Sequence, residues 1–271
     1  MQLSDIDWFE WNGVKSTAYG MHVLTQPNFL SPLERAEYVT VPGRSGSLTI
    51  LEGEDVYDDI NLSCSCVIDD PFGSVTVSGK TGQRIPMIMG WLKGNGEVKF
   101  ANRTDGYYKA RIANQISFDK AVQGNPHRLV SVQFRCQPFF YLDSGKSPSD
   151  PYNKGSGSST TVTLTNPGNI PSQPLIVLSH SNNAGGTNNK LICGDSTMEF
   201  DFTNHDYTKP VKVDCEAKII YQGEKGNAND PLVLLGTISS GDWLTIPTGT
   251  AYFVFTGNIS SVTITPRWRC I

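Results

Sequence analysis

The sequence of 271 residues has no apolar run near the roughly 20 residues that cross a bilayer as a helix, so no membrane span is expected. Its first residues, Met1-Gln2-Leu3-Ser4-Asp5-Ile6-Asp7, lack the basic segment and apolar stretch of a secretion signal. Synthesis in a cytoplasm is therefore expected. Charged residues are only 18% and hydrophobic ones 38%, and long stripes of Ala, Leu, Glu and Lys are missing, which argues against a helical protein. An excess of basic charge is also missing. Lys and Arg number 22 against 26 Asp and Glu, a net charge of −4 spread evenly over both halves. That balance supplies no basic face to neutralise phosphates, so sequence-specific nucleic-acid binding is not expected.

The usual catalytic constellations are missing too. Gly79-Lys80-Thr81 has the end of a phosphate-binding loop, but position 74 is serine where the first glycine should stand, and Val75-Thr76-Val77 reads as strand. Gly43-Arg44-Ser45-Gly46-Ser47 lacks the fifth-position glycine of a nucleophile elbow and reads as a polar turn. His22, His127, His180 and His205 stand singly, with no partner at metal-ligand spacing. Cys64 and Cys66 have no second pair, and their alternation with Leu62 and Ile68 reads as buried apolar positions. The acidic cluster Glu52, Glu54, Asp55, Asp58 and Asp59 lacks calcium-loop spacing and reads as a solvated loop or a charged subunit contact. The expectation is a protein with no catalytic residues, no metal and no cofactor. All six cysteines (64, 66, 136, 193, 215 and 270) are expected to be reduced.

What the sequence does have is punctuation and alternation. Gly (26) and Pro (16) break it into short segments. Trp8-Phe9-Glu10-Trp11 and Val14-Lys15-Ser16 flank Asn12-Gly13, the signature of a two-residue hairpin turn. Segments 37–41 and 47–51 read as strand, turn, strand. In 60–68, Ile60, Leu62, Cys64, Cys66 and Ile68 fall on one face. In 129–136, Val130, Val132, Phe134 and Cys136 do the same. One helix is predicted over 82–94, with Pro86 in its first turn and Ile85, Ile88, Met89 and Leu92 as its apolar stripe. Residues 143–159, rich in Gly, Ser, Pro and Asp, read as a linker. Short strands follow at 160–165, 174–179, 197–202, 211–221, 243–246, 250–255 and 261–267, the pattern of a β-sandwich. Trp243, Tyr252, Phe253, Phe255 and Trp268 crowd this half. They are expected to fill its core, the alternative being an exposed platform for sugar. Alternation at the end of the chain puts Trp268 inwards and sets Arg267 and Arg269 on an exposed face suited to a partner's carboxylates.

The order of motifs resembles the distal tail protein (Dit) family of long, non-contractile-tailed bacteriophages. In the first half the resemblance lies in Trp11-Asn12-Gly13, Tyr38-Val39-Thr40-Val41-Pro42-Gly43-Arg44-Ser45-Gly46-Ser47, the alternating strand 60–68, Trp91-Leu92 and Phe134-Arg135-Cys136-Gln137-Pro138-Phe139. In the second it lies in Thr165-Asn166-Pro167-Gly168, Pro174-Leu175-Ile176-Val177, Val213-Asp214-Cys215-Glu216 and Val262-Thr263-Ile264-Thr265-Pro266-Arg267-Trp268-Arg269. Gly236-Thr237-Ile238-Ser239 stands near the place of the family's Gly-Asp-Phe-Pro segment. Loops 180–190 and 222–231 are too short for the long arm that some members insert. The resemblance implies a mainly β protein. A β-sandwich-like ring-forming domain with one helix and a hairpin would span 1–142, a linker 143–159 and a galectin-like β-sandwich 160–271. It implies a structural virion protein: a hexameric hub ring at the distal end of the tail, made in the bacterial host and joining tail tube to baseplate. Its partners would be its own copies, the tail tube protein, the tail-associated lysin or tip protein and the receptor-binding proteins. The alternative function is a carbohydrate-binding β-sandwich module.

Overall fold

The computed structural model describes residues 6–53, 55–119, 127–155, 159–180, 189–200, 206, 208–236 and 238–271. The chain is mainly β, with a single α-helix among the described residues. It divides into two compact units, Met1–Phe140 with Ile271, and Tyr141–Cys270.

The N-terminal unit is built on one large sheet. Its strands run in the order Val14–Lys15, Phe9–Trp11, Asn95–Phe100, Arg103–Ile112, Arg128–Leu142, Ile60–Ile68 and Met21–Thr25. The period-two pattern of 60–68 does what it dictates: Ile60, Leu62, Cys64, Cys66 and Ile68 are buried, while Asn61, Ser63 and Ser65 face solvent. The next strand lies in matching register, Val130 opposite Cys66, Val132 opposite Cys64, Phe134 opposite Leu62 and Cys136 opposite Ile60. It runs 15 residues, well past the expected 129–136. Pro138 lacks the N–H a ladder uses, yet the strand continues through it to Leu142. Phe134 packs against the rings of Phe9, Trp11 and Phe100 at 5.3–5.7 Å. Each such pair adds about 0.5–1.5 kcal/mol beyond burial.

Asn12 (φ 51°) and Gly13 (φ 79°) form the expected tight turn, pairing Trp11 with Val14. Ser78 (φ 51°) and Gly79 (φ 74°) form a second turn of this kind, between Ser74–Val77 and Lys80–Gln83. That hairpin is what Gly79-Lys80-Thr81 belongs to. It also shortens the helix, because 82 and 83 are spent on the ladder and the helix is Arg84–Trp91. Ile88 and Leu92 are buried, but Met89 is exposed, so the stripe is narrower than expected.

The C-terminal unit is a sandwich of two antiparallel sheets. One runs Tyr152–Asn153, Ile259–Thr265, Leu175–His180, Val211–Asp214, Ile219–Gln222, Val233–Gly236; the other Ser159–Asn166, Gly249–Thr256, Asn189–Cys193, Ser196–Phe200, Ser240–Gly241. Val162, Leu164, Leu191, Met198, Phe253 and Phe255 from one sheet meet Ile176, Leu178, Val211, Val213, Val262 and Ile264 from the other in a single core. The expected strand 211–221 is instead two strands. The Asp214 carboxylate accepts the N–H groups of Glu216 and Ala217 at 3.1 and 3.0 Å, which turns the chain back on itself. Residues 243–246 form no strand, although Leu244 and Ile246 are buried and Ile246 pairs singly with Ser172. The end of the expected strand 197–202 lies outside the described residues.

The segment read as a linker bonds into this unit. Ser149 N–H donates to Ile264 O (2.8 Å), Lys154 N–H to Ser260 O (2.7 Å), and Tyr152 pairs with Val262. Its Gly, Ser and Pro content erased the apolar period without preventing backbone bonding. The start and end of the unit are stitched together: Leu142 N–H donates to Trp268 O and Arg267 N–H to Gly145 O, both at 2.9 Å. Any side chain at 145 would collide with the Trp268 backbone, so glycine is required there.

Candidate functional site

The feature of the N-terminal unit that its own core does not account for is an arm. Ala36–Thr40 and Ser47–Leu51 pair only with each other, apart from the large sheet. Val39 stands opposite Leu48, Glu37 opposite Ile50, Tyr38 opposite Thr49 and Ala36 opposite Leu51. One side of the ribbon therefore carries Val39, Leu48 and Ile50, and the other carries Tyr38 and Leu51. Every residue of Ser47–Leu51 is exposed, and Tyr38 is 70% exposed. Leu30 and Leu33, just before the arm, are exposed as well. A two-stranded ribbon in water is marginal, and contiguous apolar surface of this kind marks a contact site.

The base of the arm is held firmly. Arg35 N–H donates to Val56 O (2.9 Å), Glu52 N–H to Arg35 O (3.1 Å) and Asp58 N–H to Leu33 O (2.9 Å). The Arg35 guanidinium reaches Asp58 at 3.0 Å and Glu52 at 3.5 Å. These carboxylates raise its pKa. Tyr57 meets Phe139 edge to face at 5.9 Å. The acidic cluster is thus divided among intrachain partners. Glu52 and Asp58 serve Arg35, Asp59 pairs with Arg135 at 2.6 Å, Asp55 accepts from the Tyr57 hydroxyl, and Glu54 lies outside the described residues. Gly43-Arg44-Ser45-Gly46-Ser47 caps the arm as the polar turn expected, with Gly43 and Gly46 at positive φ.

Arg267 and Arg269 are not the exposed face that strand alternation implied. The last strand of that sheet ends at Thr265, and Arg267 takes φ 54°, so the alternation is broken. Arg267 turns inwards and donates to Asp214 at 2.8 and 3.0 Å and to Glu216 at 3.1 Å. Burial alone would raise the Asp214 pKa; Arg267 and the N–H groups of Ala217 and Glu216 outweigh it and hold the carboxyl below its ordinary value. Arg269 is buried, donating to Pro171 O at 2.7 Å and Gln173 at 3.4 Å. For Arg267, the carboxylates expected of a partner are supplied by the same chain. Trp268, Phe253 and Phe255 lie in the core as expected, and Trp243 packs against it half-buried. Tyr252, 62% exposed, is the one aromatic of that group on the surface.

His22 and His127 are brought together from distant positions. His22 Nδ1 lies 2.6 Å from Asp7 and its Nε2 3.4 Å from Asp69, while His127 Nδ1 lies 3.4 Å from Asp69 on its other oxygen. Sequence spacing could not show this, because the sheet register joins them. Among the described residues no group of three His, Cys, Asp or Glu side chains could hold a metal ion. His205 lies outside the described residues. All six cysteines are free thiols. Burial pushes Cys136 and Cys215 up to about 12 and Cys193 to about 11. An open groove of about 620 Å³ crosses the polar face of the large sheet. It is lined by Asp59, Glu97, Lys109, Arg111 and Arg135 among others, with no histidine, cysteine or serine.

No protein-family model matches the sequence, and no curated protein matches it. Among solved structures the chain is similar to the crystal structure of the SPP1 Dit (gp 19.1) protein, described as a paradigm of the hub adsorption apparatus in phages that infect Gram-positive bacteria. The likeness covers 95% of this chain and 97% of that one, with a TM-score of 0.56 at 16% identity. Both units of this chain therefore share the fold of a phage Dit protein.

Proposed function

We propose that the protein is a structural component of a phage tail tip. In this reading six copies close a hub ring at the distal end of the tail. The ring joins the tail tube to the baseplate and adhesion apparatus, and the chain has no catalytic role. Residues 1–142 form the ring, and the C-terminal sandwich binds protein and not sugar. The fold likeness supports the setting. The single observation that carries assembly is the exposed apolar arm, anchored at its base and unsupported along its length. Rings hide such edges and faces between neighbours. The interface that closes a ring is heterologous, with a different surface of each copy on either side.

Light scattering of the full chain tests this. The expected mass is six times that of one chain. Leu48→Asp with Ile50→Asp should leave a folded monomer. A wild-type protein that stays monomeric at micromolar concentration would contradict the ring.

A further inference from the structure

Resting on that reading, we propose that the arm of one copy docks on a patch at the Met21–Thr25 edge of the large sheet of the next copy, formed by Leu24, Val67 and Leu129. A heterologous ring needs a donor and a receiver on the same chain. The arm is the donor. The receiver must be exposed, apolar and not part of the arm.

The register of the sheet assembles one. Leu129 stands opposite Val67, and Val67 opposite His22, so these three share a row on the face away from the core. Leu24 follows His22 on the edge strand, where a bulge between Val23 and Thr25 displaces the ladder. Bulges at sheet edges re-aim side chains. Leu24 is 60% exposed and Leu129 51%, on an outward face whose neighbouring positions are polar, among them Asn61, Ser63, Ser65, Ser131 and Arg135. A groove of about 560 Å³ runs along the same edge, lined by Ile6, Asp7 and residues 22–26.

The two surfaces match in size and in charge. The arm offers Val39, Leu48 and Ile50 on one side of the ribbon, three apolar side chains for three, with Glu37 on that side at the base, away from the tip. The tip of the arm, 41–46, carries one charge, the exposed Arg44. The margin of the patch carries Asp7, Asp69 and Asp70, with His22 and His127 between them. A cation at the tip meets an acidic border, which fixes the direction in which the arm lies.

The test uses the full chain. Leu24→Asp with Leu129→Asp should convert the ring to monomers without changing the circular dichroism, and Tyr252→Asp should leave the ring intact. Independently, a Leu48→Cys chain mixed with a Leu24→Cys chain should give covalent dimers on mild oxidation. Neither variant alone should do so beyond the background of the native thiols. A wild-type ring that survives Leu24→Asp with Leu129→Asp, or that gives no cross-link on mixing, overturns this docking while leaving the ring standing. A monomeric wild type overturns both.

Discussion

The two units close their cores to different degrees. In the C-terminal sandwich, two sheets bury each other's inner faces, and among the described residues only Val233, Leu234 and Tyr252 remain as exposed large apolar side chains. The N-terminal unit also has a buried core, yet it exposes Leu24, Leu30, Leu33, Tyr38, Leu48, Ile50, Leu51, Phe72, Met89 and Leu129. Both are stable folds by the same rules. The difference is in the surplus: one unit spends its apolar residues on itself, and the other keeps a share outside for a neighbour.

The comparison can be broken at several depths. The largest effect is expected from removing a core ring in each unit. Phe134→Ala and Phe253→Ala should each cost about 3–5 kcal/mol in chemical denaturation. Only Phe134→Ala should also lower the assembled mass under native conditions. Equal effects on mass would dissolve the contrast between units. Next, Arg267→Met strands Asp214 and Glu216 beside each other, with an expected cost of about 2–3 kcal/mol, reduced from a fully buried pair because the groups are partly solvated. The same pair gives an acid dependence. The Asp214 pKa is depressed below its ordinary 3.8, so the unfolded chain binds the proton first as pH falls. Stability from this pair is present above that value and is lost as pH drops through the folded one. Wild type should lose more stability between pH 5 and pH 2 than Arg267→Met does, measured by urea midpoints.

A smaller stability change is expected on the arm. In protein diluted to monomers, Leu48→Asp with Ile50→Asp should alter the unfolding free energy by no more than about 0.5 kcal/mol, because both side chains stand partly exposed on the arm. A large loss would mean the arm is part of the core. The smallest effect is chemical. With Cys136 and Cys215 raised to about 12 by burial, and Cys64 and Cys66 also buried, a thiol reagent at pH 8 should label the half-exposed Cys270 first. Fast labelling of a second site in native protein would show that one of the cores opens readily.

Much of the fold was readable wherever one residue pattern settled one geometry. Asn12-Gly13 named its turn, and the alternation of 60–68 named its buried face. What failed did so for local reasons. Asp214 folded the segment 211–221 back into a hairpin through its own carboxylate. Arg267 left the extended region and carried both arginines away from solvent. The linker composition concealed Tyr152–Asn153, because backbone pairing asks nothing of side chains. The arm itself was legible as two strands and a turn. Its isolation was not, since exposure depends on what the rest of the chain declines to cover. The Leu24, Val67 and Leu129 patch was further out of reach, being a product of register across three strands far apart in sequence.

The stitch between Leu142 and Trp268, and between Arg267 and Gly145, makes the C-terminal sandwich a cassette. Its two ends lie one hydrogen bond apart. A unit of that kind can be exchanged whole for another with equally close ends. It can also be circularly permuted, its old ends joined by a few residues and new ones opened in the 225–230 turn, without asking the sheets to change their order.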